Sequence, residues 1–148
     1  MRRMWFGLPI SLVLLLNIIG VSFCAMTRDQ MIKSFDTIRN LCTPKFKLSA
    51  DQLNALRFGN FDNDDKEVKC YLHCTAQMAG VLTKKNELHL EKTLKQIDAM
   101  YQSENKQSAI DAAHHCKDIQ KTYKDPCDKV FFTAKCSAEQ MGKLFVWP

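Results

Sequence analysis

Glycine is scarce in this chain: five in 148 residues, and beyond residue 24 only Gly59, Gly80 and Gly142. That leaves no Gly-rich phosphate loop and no strand-to-helix nucleophile elbow. Runs of β-branched residues are few, and no internal repeat, low-complexity tract or interdomain linker interrupts the chain. A strong charge of either sign is missing as well. The formal net charge is +5, falling to +3 without Arg2 and Arg3. An excess that small and evenly spread does not make a nucleic-acid surface or a basic membrane patch. Carboxylates are scattered, so no acid/base pair separates itself from ordinary surface charge.

What the chain does have begins with a leader. Met1-Arg2-Arg3 is a short basic start, and the mainly apolar run from Trp5 to Phe23 ends in Ser22-Phe23-Cys24-Ala25. This is the layout of a secretory signal peptide over residues 1–24. A run of about 18 apolar residues is also long enough to anchor a chain in a bilayer, but the small residues that end it favour cleavage. Small side chains three before and just before the cut place it after Cys24. A cut after Ala25 would put Phe23 where a small residue is preferred, and the same bulky Phe23 argues against a lipoprotein reading of Cys24. With the leader removed, no membrane span is expected, and residues 25–148 form a single domain.

Cleavage changes seven cysteines to six: Cys42, Cys70, Cys74, Cys116, Cys127 and Cys136. An even set in a small secreted chain implies three disulfides formed in an oxidising compartment. Six cysteines allow fifteen pairings. Cys70 and Cys74 lie four apart, on one face of a segment that reads as a helix. Bridging adjacent turns of one helix needs a distorted geometry, whereas separate bridges let that helix staple three segments together.

Repeated cap signals point to an all-α domain. Thr27 with Gln30 opens a helix whose stripe is Met31, Phe35, Ile38 and Cys42, and Thr43-Pro44 ends it. Ser49 with Gln52 caps a shorter helix through about Phe58. A third helix starts at Asp64 or Asp65 and ends near Gly80, with Val68, Cys70, Tyr71, Leu72, Cys74, Thr75, Met78 and Ala79 inward and His73 outward. Leu90, Leu94, Ile97 and Tyr101 mark a fourth. The fifth, from about Lys106 to Lys121, has the small inner face Ala109, Ala112, Ala113 and Cys116, which either admits a close neighbour or leaves open volume. Asp125-Pro126 launches the sixth. An apolar C-terminal tail over 137–148, ending Leu144-Phe145-Val146-Trp147-Pro148, is unsuited to exposure in water.

The spacing Cys42-x27-Cys70-x3-Cys74-x41-Cys116-x10-Cys127-x8-Cys136, behind a signal peptide in a helical chain, closely resembles the six-cysteine insect odorant-binding protein family. The likeness spans residues 25–148, and the x3 and x8 gaps are its most restrictive elements. It implies a six-helix, three-disulfide fold around an apolar cavity, with the pairs Cys42–Cys74, Cys70–Cys127 and Cys116–Cys136. It further implies a carrier of small hydrophobic ligands, odorants or pheromones, through sensillum lymph, working as a monomer or weak homodimer with contact to an olfactory receptor as a further expectation.

Candidate ligand-binding residues are the inward apolar ones. They are Met31 and Phe35 on the first helix, Tyr71, Met78 and Leu82 on or just after the third, and Leu94 and Ile97 on the fourth. Ala109 and Ala113 follow on the fifth, Phe131 and Phe132 on the sixth, and Phe145 and Trp147 in the tail. Each would serve ordinary core packing as well, since Met and Phe fill gaps and meet ligands alike. His114 and His115 are candidates for a pH switch, because Asp111 and Asp118 bracket them at helical spacing.

No cofactor or metal is expected, because disulfides consume the thiolates that a zinc or catalytic cysteine site needs. The chain is therefore read as a non-enzyme. His73 lies beside two cysteines, yet the paired-cysteine, histidine–aspartate motif of secreted phospholipases is absent. Two other readings remain: a non-olfactory secreted carrier of lipids, hormones or amines, and a secreted helical interaction protein with a filled core. Peptide mapping under non-reducing conditions should recover the three pairs above; Cys70 joined to Cys74 would overturn the scheme.

Overall fold

Reciprocal caps set the first helix starts. In the computed structural model, which describes residues 26–148 apart from the Ser103 side chain, the Gln30 N–H donates to Thr27 Oγ1 while the Thr27 N–H donates to Gln30 Oε1. Ser49 and Gln52 repeat the exchange. The expected signal peptide, residues 1–24, and its cleavage site lie outside the described residues. Six α-helices follow in order: α1 Arg28–Cys42, α2 Ala50–Arg57, α3 Lys66–Met78, α4 Leu90–Met100, α5 Ser103–Cys116 and α6 Pro126–Met141. Short 3-10 turns occupy Thr43–Lys45, Ile119–Thr122 and Gly142–Leu144. The one strand-like feature among the described residues is an isolated antiparallel bridge between Leu82 and Leu88.

Other boundaries depend on distant parts of the chain. Asp125 caps α6 by accepting from the N–H groups of Cys127 and Asp128, ahead of Pro126 at the first helical position. Asp65 stands at the α3 start without a side-chain cap; its own N–H instead donates to Asn63 Oδ1. The fifth helix was expected over Lys106 to Lys121, but α5 starts at Ser103 and stops at Cys116. No Gly or Pro marks that stop. The chain turns there and brings Gln120 onto Leu88, accepting its N–H at 2.7 Å and donating to its carbonyl at 3.1 Å. Helix α6 in turn runs past Cys136 to Met141, so the first five residues of the expected tail are helical.

The cysteines pair as Cys42–Cys74, Cys70–Cys127 and Cys116–Cys136. The first ties the end of α1 to α3, the second ties α3 to the start of α6, and the third ties α5 to α6. Helix α3 thus lies centrally, with Val68, Tyr71, Leu72, Thr75 and Ala76 all essentially without exposure. Val130 and Phe131 of α6 complete the solid part of the core. Met78 corrects the helical-wheel expectation: it is 42% exposed. Its angle falls within the buried arc, but it is the last residue of α3, where the helix emerges beyond its neighbours. Ala76, not placed inward by the sequence, is buried instead. No helix among the described residues is long and apolar enough to cross a membrane.

Gly59 closes α2 with φ of +87°, and the next residue, Asn60, returns its N–H to Ala55 O at 2.9 Å. A Cβ on Gly59 would lie 3.1 Å from Ala138 Cβ and 3.3 Å from the Phe145 ring, whereas Gly80, with φ of +71°, faces open space. Both glycines satisfy a left-handed backbone, but only Gly59 also serves a close approach. Gly80→Ala should therefore cost about 1 kcal/mol, from φ alone. Gly59→Ala should cost about 2–3 kcal/mol, because a tightly packed wall must also shift. Chemical denaturation followed by Trp147 fluorescence checks the order of the two.

Candidate functional site

Small side chains on facing helices leave a space that larger ones would fill. Ala76 of α3 and Ala79 just beyond its end, Ala109, Ala112 and Ala113 of α5, and Ala134 of α6 border a cavity of about 330 Å³. Its other walls are Thr93, Ile97 and Met100 of α4, Met141 of α6, and Phe145, Val146 and Trp147 of the tail. Of the two alternatives left open for the alanine face of α5, open volume is the one realised.

Six of the thirteen sequence candidates border this space: Phe35, Ile97, Ala109, Ala113, Phe145 and Trp147. The other seven lie elsewhere. Met31 packs behind the wall with Phe35 and Val146. Tyr71 and Phe131 are fully buried in the solid core, and Leu82 and Leu94 pack against the same cluster. Phe132 stacks on Tyr123 with ring centroids 4.2 Å apart, and Met78 points to solvent. The common cause is size: long apolar side chains reach one another and close the core, so the cavity persists where side chains are short. Thr75, inward on the α3 wheel, borders it, and so do Thr93, Thr133 and Ser137, although polarity kept those three out of the sequence candidates. Thr133, Ala134 and Ser137, three small residues on one turn of α6, were the available signal.

The tail is stitched in as a wall. The Trp147 N–H donates to Arg57 O at 2.9 Å, and its indole Nε1 donates to Thr75 Oγ1 at 2.8 Å. Tyr71 donates its hydroxyl to the Pro148 oxygen at 3.2 Å. Arg28 reaches from α1 to the carbonyls of Lys143 and Leu144 at 3.2 and 3.4 Å. The Phe145 ring stacks on Trp147 and meets Phe61 edge-on. Arg57, whose carbonyl holds the tail, is itself fixed by Asp36 of α1 at 2.6 Å.

Charge is confined to one rim, where exposed Lys117, Asp118 and Lys121 border the space. Asp118 and Lys121 form an ion pair at 2.6 Å. The hydrogen bond from Lys121 holds the Asp118 carboxyl below the usual carboxylate range, and the same bond raises the Lys121 ammonium above its own. This pairing leaves the expected histidine bracket unmade. His114 and His115 are both exposed and outside the cavity lining, Asp118 belongs to Lys121, and Asp111 accepts from the Gln107 amide at 2.8 Å. At the opposite end, burial pushes the Tyr101 phenol up to about 12, against smaller opposing effects of Arg28 and the Val146 main chain.

A model of the PBP/GOBP family matches residues 24–140. General odorant-binding protein 72 of Anopheles gambiae is 32% identical over 124 residues, which cover 84% of this chain and 100% of that relative. General odorant-binding protein 19a of Drosophila melanogaster is 30% identical over 144 residues, covering 95% and 97%. The solved structure of Apis mellifera odorant binding protein 5 superposes with a TM-score of 0.67 at 20% identity, over 84% of this chain and 99% of that one. At that identity the structural match speaks for the fold.

Tyr101 lends itself to a titration. Its folded-state value lies above the ordinary 10, so the protonated form is the one that folding favours. Its contribution is complete below pH 10 and is lost as pH rises through about 12, an effect on the order of 3 kcal/mol. Denaturation midpoints should fall over that window, and Tyr101→Phe should flatten the fall. An unchanged alkaline slope in the variant would refute the assignment.

Proposed function

This chain belongs to the PBP/GOBP family, and on that premise we propose that it carries odorants or pheromones through the sensillum lymph to olfactory receptors. Binding of odorants is the property the relatives share by name. The observation that supports it here is the cavity of about 330 Å³ among alanines, Ile97, Phe145 and Trp147. That size falls within the range of small-molecule pockets, roughly 300–1,000 Å³. The driving force is burial: about 250 Å² of apolar ligand surface at ~25 cal/mol per Å² gives about 6 kcal/mol before the costs of association. A filled-core interaction protein would have no use for such a space, so the cavity favours the carrier over that alternative.

The carrier role assigns parts to the residues around the space. Phe35, Ile97, Ala109 and Ala113 supply apolar surface. Phe145 and Trp147 form a wall that is held by hydrogen bonds and ring contacts but by no covalent bond beyond the chain itself. Ligand exchange through loosening of that wall is one route, because α3, α5 and α6 are tied by disulfides whereas the tail, like α4, is not.

Uptake of an apolar fluorescent probe, with saturable change in Trp147 emission, tests the carrier role directly. Deleting 144–148 should weaken probe binding about tenfold or speed its release to a similar degree. Unchanged affinity and dissociation would remove the tail from the mechanism, and absence of saturable uptake by the intact chain would defeat the carrier reading.

A further inference from the structure

The polar atoms bordering the cavity are spent in an uneven way. Besides the Tyr101 phenol, four hydroxyls border it, and each donates to a carbonyl three or four residues back: Thr75 to Leu72 at 2.9 Å, Thr93 to His89 at 3.2 Å, Thr133 to Lys129 at 2.8 Å and Ser137 to Thr133 at 3.0 Å. A hydroxyl has one hydrogen and two lone pairs, so each has used its donor and kept acceptor capacity. The bordering amides follow suit. Gln96 Nε2 donates to Ala79 O, and Gln120 Nε2 donates to the carbonyls of Leu88 and Lys117. The Trp147 indole N–H is spent on Thr75, which also takes up a lone pair there.

Apart from the rim lysines, the Tyr101 phenol and the second Gln96 amide hydrogen, what remains is a set of acceptors. Its centre is the pair Thr133 and Ser137, four residues apart and therefore one above the other on α6. Thr133 is 6% exposed. An apolar ligand with a hydroxyl hydrogen finds a partner at this pair without disturbing it. A ligand with only a carbonyl oxygen meets lone pairs at this pair, unless one of the two hydroxyls swings away from its helix carbonyl and gives up that bond.

We propose that the cavity selects small, mainly apolar alcohols, whose hydroxyl donates to Thr133 or Ser137; the inference rests on the carrier reading. The discrimination should be about three- to tenfold against a matching carbonyl compound, the scale of one neutral hydrogen bond.

Displacement of the apolar probe by a medium-chain primary alcohol, the matching aldehyde and the matching alkane tests this. In the intact chain the alcohol should bind tightest. Thr133→Val and Ser137→Ala, separately and together, should bring alcohol affinity and alkane affinity together, whereas Thr133→Ser should retain the preference for the alcohol. Alkane and probe binding with no advantage for the alcohol overturns the inference while leaving the carrier reading intact. Tighter binding of the aldehyde, abolished by Tyr101→Phe, overturns it in favour of the phenol as the polar contact. Failure of the alkane and the probe to bind at all would defeat the carrier reading on which it rests.

Discussion

The two disulfides that leave one face of α3, Cys74 toward α1 and Cys70 toward α6, make an internal space tolerable in so small a fold. An open volume of about 330 Å³ forgoes packing contacts that a filled core would supply. Three cross-links at roughly 2–4 kcal/mol each help to offset that loss. Helix α3 can therefore present Thr75 and Ala76, with Ala79 just beyond its end, to open volume on one side while its opposite flank is clamped. Without the clamp, the alanine faces of α3, α5 and α6 would collapse toward one another and the cavity would be the first thing lost.

The remaining wall obeys a different principle. Phe145 to Pro148 is held by hydrogen bonds that Trp147 donates to Arg57 and Thr75, by one that Tyr71 donates to Pro148, and by ring contacts to Phe61. Its support runs through the end of α2, where Arg57 offers its carbonyl to Trp147 and its guanidinium to Asp36, and where Gly59 lets the tail and α6 come close. One short helix with its closing glycine thus couples α1, α6 and the tail. A rigid covalent frame and a wall secured by separable weak contacts suit a container that must both hold and release.

Features written in adjacent residues were legible in the sequence. The capping boxes at Thr27 and Ser49, the Asp125-Pro126 start and the family spacing of the cysteines all act within a few residues or through fixed gaps. Features that depend on height along an element or on distant partners were not. Met78 has the right angle on α3 but stands at its end, and α5 stops where Gln120 must meet Leu88. The cavity itself was only half visible, because apolar character marks the solid core as readily as it marks a pocket. Short side chains, including hydroxyls that bond their own helix, turned out to be the better guide.

The order of the bridges has a consequence for damage. The loops closed by Cys42–Cys74, Cys70–Cys127 and Cys116–Cys136 overlap end to end. Every peptide bond between Cys42 and Cys136 is therefore spanned by at least one bridge, and a single proteolytic nick anywhere in that stretch leaves one covalent molecule. The segment after Cys136 enjoys no such insurance: one cut there severs Phe145 and Trp147 from the frame. The C-terminal wall thus shares with the stretch before Cys42 a lack of covalent protection, and a form clipped after Cys136 would keep its scaffold while losing that wall.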